Sequence, residues 1–209
     1  MEPSAQQRLI FREVARIKIV TAIWGEKYSE QYVDALKAQI PGLIVLRENE
    51  GLYQPGKYRD WFCKIEILRP ENRHLRPCLF VDLDTFVIGN IAPILELDPN
   101  TLWMIKNFFQ PARSESGLFI APKDHISDLI WERAESINLA STFKGDGDFL
   151  SGFSHRRITD VVDRIYSYKA DHLEQSPRDA RIVCFHGQPK PLDLDNWARD
   201  FFDKCSTQT

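Results

Sequence analysis

The 209-residue sequence has no CxxC pair, no internal repeat, no low-complexity tract and no Gly/Ser linker. Its four cysteines, Cys63, Cys78, Cys184 and Cys205, stand far apart. That spacing argues against a zinc knuckle or a small disulfide framework and leaves ordinary thiols. Cys78 and Cys184 fall in apolar runs and read as small core residues. No stretch approaches the roughly 20 apolar residues that a membrane-crossing helix needs, and the first fifteen positions are too charged for the apolar region of a signal peptide. The expectation is a soluble, cytoplasmic protein without a transmembrane segment. Excess positive charge is missing too: 27 Lys and Arg face 30 Asp and Glu, a formal net charge of −3, which disfavours a nucleic-acid partner. Arg8, Arg12 and Arg16 beside Phe11 leave a peripheral contact with an anionic membrane surface open.

What is present is enough for one core. With 43% hydrophobic residues, the chain can fill a single α/β-sized domain. Residues 1–16 read as an N-terminal extension, with a short amphipathic helix over residues 4–15, and residues 17–209 as the domain. Ile17 to Ile23 is apolar and β-branched, the profile of a buried strand. From Tyr28 the spacing of Tyr32, Ala35, Leu36 and Gln39 predicts a helix, stopped by Pro41-Gly42, and Leu43 to Leu46 predicts a second strand. Strand–helix–strand implies parallel pairing through a right-handed crossover. A helix is expected over Tyr58 to Leu68. Strands are expected at Cys78 to Val81, Leu102 to Ile105, Gly117 to Ala121 and Ile182 to Phe185, with further helices over Ile126 to Ile137 and Trp197 to Phe202. The irregular stretches at residues 48–57 and 106–116 are long for a compact domain and mark candidate site loops.

The apolar run Cys78 to Val81 ends abruptly in Asp82-Leu83-Asp84. Acids at the carboxyl end of a buried strand sit where open α/β sheets bind ligands. Two such carboxylates repel unless a cation lies between them, and hard oxygen donors suit Mg²⁺ or Mn²⁺, which can hold a diphosphate at the same time. A solvated acidic turn is the plain alternative. His186 follows another apolar strand and is itself followed by Gly187 and Lys190. A neutral imidazole added to carboxylates shifts the preference toward Mn²⁺, and a lysine can neutralise the charge of a departing diphosphate.

The order Thr21-Ala22-Ile23-Trp24-Gly25-Glu26-Lys27-Tyr28-Ser29, Trp61-Phe62-Cys63-Lys64-Ile65-Glu66, Phe80-Val81-Asp82-Leu83-Asp84-Thr85, Ser116-Gly117-Leu118-Phe119, Gly145-Asp146-Gly147-Asp148 and Cys184-Phe185-His186-Gly187-Gln188-Pro189-Lys190-Pro191 resembles the GT-A glycosyltransferases of the glycogenin and bacterial lipooligosaccharide galactosyltransferase type, a family-8-like group, and in particular their short bacterial relatives. The resemblance spans about residues 17 to 197. It implies a single-domain GT-A fold, with a mixed, mostly parallel central sheet flanked by helices, that moves a sugar from a nucleotide-diphosphate sugar, with uridine diphosphate favoured, to a hydroxyl acceptor with retention. Asp82, Asp84 and His186 would hold Mn²⁺ or Mg²⁺. Thr21, Ala22, Tyr28, Lys64, Leu83, Gly187 and Lys190 would meet the donor, and Asp146, Asp148 and Lys190 would serve the reacting sugar and leaving diphosphate. Two departures stand out. Gly147 occupies the place of an amide residue, and Glu115 replaces an asparagine before Ser-Gly.

Two other readings compete. Asp82-Leu83-Asp84-Thr85 after an apolar strand also matches the first motif of haloacid-dehalogenase-type phosphatases, with Asp82 as nucleophile and Asp84 as acid/base; there, however, about eighty preceding residues and the His186 segment have no role. A non-catalytic nucleotide-sugar binding domain is consistent with Gly147. A nucleotidyltransferase would need a Gly-rich loop with a basic finger, which Trp24 to Tyr28 lacks.

Overall fold

The computed structural model describes residues 17–47, 58, 60–123 and 125–207. The expected extension and amphipathic helix, with Arg8, Arg12 and Arg16, and the stretch 48–57 lie outside them.

Six strands make the main sheet: β1 (Lys18–Ile23), β2 (Ile44–Arg47), β3 (Cys78–Val81), β5 (Trp103–Lys106), β6 (Ser114–Ala121) and β7 (Arg156–Arg157), in the order β2-β1-β3-β6-β5-β7. β1 runs parallel to β2 and β3, β5 runs parallel to β7, and β6 is antiparallel to both β3 and β5. Five strands therefore point one way and β6 alone opposes them. A small second sheet places β9 (Ile182–Cys184) between β4 (Thr85–Val87) and β8 (Ile165–Ser167).

All four residues of β3 are buried because the strand is covered on both faces. Leu79 and Val81 point into one core with Val33 and Leu36 of helix α1 (Glu30–Gln39) and Phe202 of the C-terminal helix (Trp197–Ser206). Cys78 and Phe80 point to the other face, among Ile65 and Leu68 of a 3-10 helix (Asp60–Leu68) and Ile130 and Trp131 of a third-layer helix (His125–Glu135). The period-two alternation of a strand separates the two sets. All four cysteines are buried free thiols.

The expected elements form with small shifts, and the differences have local causes. The helix expected from Tyr58 is wound as a 3-10 helix from Asp60. β6 begins three residues earlier than expected, at Ser114, because its first residues, Ser114, Glu115 and Ser116, are polar, line a cleft and carry no apolar pattern. Leu129, placed on the apolar stripe of its helix, is 44% exposed, and the buried face is made by Ser127, Ile130, Trp131 and Ala134. Gln39 acts through hydrogen bonds: its side chain accepts from Val87 N at 2.7 Å and donates to Ala35 O at 2.8 Å.

Candidate active site

The carboxyl ends of β1, β3 and β5 and the amino end of the opposing β6 meet at one edge of the sheet, the edge where open α/β sheets place ligands. β3 stops at Val81 because the chain turns back: Thr85 N donates to Asp82 O, while Asp82 N still bonds Gly117 O of β6. β4 leaves that turn and pairs with β9 in the register Thr85↔Cys184, and Phe185 N donates to Asp84 O at 3.1 Å. This pairing carries His186, a hundred residues downstream, to the two acids. A Cβ built on Gly117 would lie 3.4 Å from Asp82 Oδ2 and 4.0 Å from His186 Cε1, so imidazole and carboxylate approach the same point. Gly187 turns the chain away from the ring with φ +67°, a left-handed conformation that suits glycine.

Two adjoining clefts open here. The larger, about 630 Å³, is lined by Asp82, Asp84, His186, Gly187, Lys190, Asp146 and Asp148 among others. The second, about 490 Å³, runs from Ala22 and Trp24 to Tyr58, Cys63 and Phe80. Lys27, Tyr28, Trp61, Lys64 and Asp82 line both, so the clefts join along this seam. Trp61 is half exposed there, its ring edge against Gly145.

Charge is dense and tightly paired. Lys64 Nζ lies 2.8 Å from Asp82 Oδ1, 2.9 Å from Oδ2 and 3.3 Å from Asp146 Oδ2. Burial by itself lowers an ammonium's pKa, but Asp146 and Asp82 outweigh it and hold Lys64 well above the ordinary lysine value. Burial pushes the Asp82 carboxyl up against the pull of Lys64, and Asp84 adds to the rise. Asp84 is ion-paired with Lys190 and accepts the Tyr28 hydroxyl at 2.9 Å. Asp146 is buried and accepts from Ser116 Oγ. Asp148 is exposed and accepts from Lys144 N at 3.3 Å, at the start of the short helix Asp146–Leu150.

His186 and Glu115 complete the floor. Glu115 Oε2 lies 3.1 Å from His186 Nδ1 without hydrogen-bond alignment, and both that oxygen and His186 Nε2 are buried with no hydrogen-bond partner among the described residues. Burial lowers the His186 pKa to about 4, Asp84 opposing and Lys190 and Lys64 assisting, so the ring is neutral at pH 7. Burial lifts Glu115 to about 7; Lys64 opposes this, and Asp82 and Asp146 add to it.

The structure thus brings Ala22, Tyr28, Lys64, Asp82, Asp84, Asp146, Asp148, His186, Gly187 and Lys190 to the clefts. It does not bring Thr21 or Leu83. Thr21 alternates to the face opposite Val20 and Ala22; it is fully buried, and its hydroxyl donates to Val81 O at 2.7 Å, tying β1 to β3. The Leu83 side chain is packed in the core on the α1 side. Gly147 has a packing reason: a Cβ there would lie 3.3 Å from Ser116 Oγ and 3.5 Å from Glu115 Cα, space that β6 already fills. Ser116, part of the Ser-Gly motif, and Arg113, in the irregular stretch 106–116, line the larger cleft with His155 and Arg157, which no sequence motif names. The double arginine Arg156-Arg157 is the one sequence signal near that pair.

Among the described residues, no group of three or more His, Cys, Asp or Glu side chains stands in metal-binding geometry. The donor chemistry nonetheless fits a divalent cation: two carboxylates and a neutral imidazole face one cleft, and the imidazole Nε2 is buried without a partner.

The molecule is a mixed α/β sheet protein with acids and lysines at the carboxyl ends of its strands, the place where such sheets bind ligands. The chain matches no family model and no curated protein sequence. Its fold is similar to solved glycosyltransferases. The apo form of GlyE from Streptococcus pneumoniae TIGR4 aligns with a TM-score of 0.65 at 15% identity, over 93% of this chain and 61% of that one. The bifunctional glycosyltransferase WbbM aligns at 0.61 and 10% identity, over 94% and 50%. A glycosyltransferase involved in glycosylation of the PBCV-1 major capsid aligns at 0.54 and 17% identity, over 91% and 98%. This chain therefore spans about three fifths of GlyE and half of WbbM, and nearly all of the viral enzyme. The shared feature is a glycosyltransferase fold.

Proposed function

We propose that residues 17–209 form one GT-A-like domain that transfers a sugar from a nucleotide-diphosphate sugar to a hydroxyl acceptor. The observation that carries this reading is the junction of the clefts: Lys64 and Asp82 stand where a nucleoside-sized cleft joins a wider one, with Asp84 and Lys190 beside them in the wider cleft, on a glycosyltransferase fold. The nucleoside enters the cleft of Ala22, Trp24 and Tyr28. Uridine and a retained anomeric configuration are the outcomes the resemblance to the glycogenin type implies. The diphosphate runs from the seam into the larger cleft, where Lys64 and then Lys190 stabilise the charge that develops as the sugar leaves, an electrostatic contribution that is commonly the largest in such reactions. Asp82, Asp84 and His186 would hold Mn²⁺ or Mg²⁺, which supplies Lewis-acid neutralisation of the diphosphate. Asp146, fixed by Lys64 and Ser116, and Asp148 at the helix start hold hydroxyls of the transferred sugar. The acceptor enters from the far side of the larger cleft.

Calorimetric titration with uridine diphosphate, with and without Mn²⁺, tests the donor half. Binding that requires Mn²⁺ is expected, and slow donor hydrolysis separates an enzyme from a binding domain. Absence of any nucleotide-diphosphate binding in either condition would overturn the reading. Among the described residues, no helix is long and apolar enough to cross a membrane.

A further inference from the structure

The far wall of the larger cleft carries a positive charge that the proposed donor chemistry does not use. Arg157, on β7, is held by three neutral groups: its Nη1 and Nη2 donate to Pro111 O and Ala112 O, both at 2.9 Å, and its Nε donates to Ser114 Oγ at 3.2 Å. Ser114 is buried and 2.8 Å from His155 Nε2, and His155 Nδ1 is 2.8 Å from Phe153 O. A carbonyl only accepts, so Nδ1 carries the ring proton. The Ser114 oxygen accepts from Arg157 Nε, and with the two carbonyls it fixes the plane of the guanidinium.

Three of five N–H groups are used and two remain, one on each terminal nitrogen. Among the described residues no carboxylate stands within ion-pair distance of Arg157 or of Arg113, which is exposed in the same cleft. Past Arg157 the cleft continues into a hollow of about 400 Å³, lined by His155, Arg156, Arg157, Asp160 and Val161. Asp160 is the one acid on that wall and is not paired with either arginine. A guanidinium pinned by neutral acceptors keeps its full charge and offers a prealigned fork, the arrangement that recognises phosphate or carboxylate.

We propose that Arg157, with Arg113, forms an anion subsite at the acceptor end of the cleft, and that the acceptor carries a phosphate or carboxylate beside its accepting hydroxyl. This rests on the proposed glycosyl transfer for the word acceptor, but the subsite itself is a binding property.

The test uses the full chain saturated with uridine diphosphate and Mn²⁺, so that the donor end is filled, and titrates three probes: glucose 6-phosphate, glucuronate and methyl glucoside. Affinity is read by calorimetry and by the Nε–H resonance of Arg157. One of the two anionic probes should bind at least about tenfold tighter than methyl glucoside, the size of one added charge-assisted hydrogen bond, and which one does so distinguishes phosphate from carboxylate. Arg157→Gln should abolish that preference. Arg113→Ala, which removes a side chain without fold contacts, should weaken it about threefold, the scale of an exposed charge. Neither should change nucleotide affinity. Equal binding of all three probes, or a preference that survives in a folded Arg157→Gln protein, overturns the subsite. Should uridine diphosphate fail to bind, the donor reading falls, while the Arg157 resonance still reports the subsite without nucleotide.

Discussion

Lys64 holds Asp82 through both carboxylate oxygens, at 2.8 and 2.9 Å. The same ammonium reaches Asp146, so one cation joins the acid at the end of β3 to the acid that begins the helix Asp146–Leu150. Lys64→Met removes the charge while keeping much of the bulk. Turnover of a nucleotide-sugar should fall about 100-fold, the usual loss for one electrostatic stabiliser. Steady-state donor hydrolysis measures it, and a decrease below threefold would remove Lys64 from the leaving-group role.

Asp84→Asn and His186→Ala each delete one donor of the proposed cation set, and neither side chain completes a core. Each should abolish the Mn²⁺-dependent part of uridine diphosphate binding; His186→Ala should leave the thermal midpoint within a few degrees, while Asp84→Asn, which strips the mostly buried Lys190 ammonium of its partner, should lower it further. Calorimetry at fixed Mn²⁺ reads the first, and differential scanning the second. Retention of full Mn²⁺ dependence in both variants would exclude this donor set.

Gly147→Ala tests whether the glycine is a packing requirement. Its new methyl would meet Ser116 Oγ at 3.3 Å, a tight contact that a shift of a few tenths of an ångström relieves, and Ser116 N at 3.4 Å. A loss of about 1 kcal/mol is expected in urea unfolding, the low end of overpacking by one methyl. Gly147→Gln should lose more.

Asp128 accepts from Arg73 at 2.5 Å and from Arg76 at 3.2 Å, and the Arg76 side chain is fully buried. Burial raises the Asp128 carboxyl, but the hydrogen bonds from Arg73 and Arg76 outweigh it and hold it below the ordinary carboxylate range. Its contribution is therefore complete above the unfolded value near 4 and is lost as pH falls through the lower folded value. Asp128→Asn leaves the Arg76 charge buried without its partner. It should destabilise the protein by about 2 kcal/mol at pH 7, toward the low end for a broken buried pair because Asp128 is partly exposed. The difference between wild type and variant should shrink below pH 4.

The four thiols should be inert. Burial lifts Cys63 and Cys78 to about 12, and Cys184 and Cys205 also lie above the ordinary thiol value because of burial. A thiol reagent at pH 8 should label the native protein slowly and all four cysteines after unfolding, since the thiolate is the reactive form.

Much of this architecture was legible before any coordinates. The apolar run Cys78 to Val81 reads as a buried strand, and the abrupt Asp82-Leu83-Asp84 as acids at its end. What misled was alternation at the edge of a strand. Thr21 adjoins Ala22, which lines the second cleft, and points to the opposite face, and Leu83 sits between two site acids and points into the core. The short elements β4, β7 and β8 left no periodic signal, because two or three residues span barely one repeat of the two-residue strand alternation.

The sequence by itself determined the layered α/β order, the buried thiols and the chemistry of each candidate group, since these follow from the local run of side chains. Only the tertiary structure decided which groups meet. The pairing of β4 with β9 brings His186 to Asp84 across a hundred residues, and the pairing of β5 with β7 sets Arg157 against the loop that ends at Ser114. Such meetings depend on hydrogen-bond register between distant strands, a property of pairs of segments that no single stretch of chain encodes.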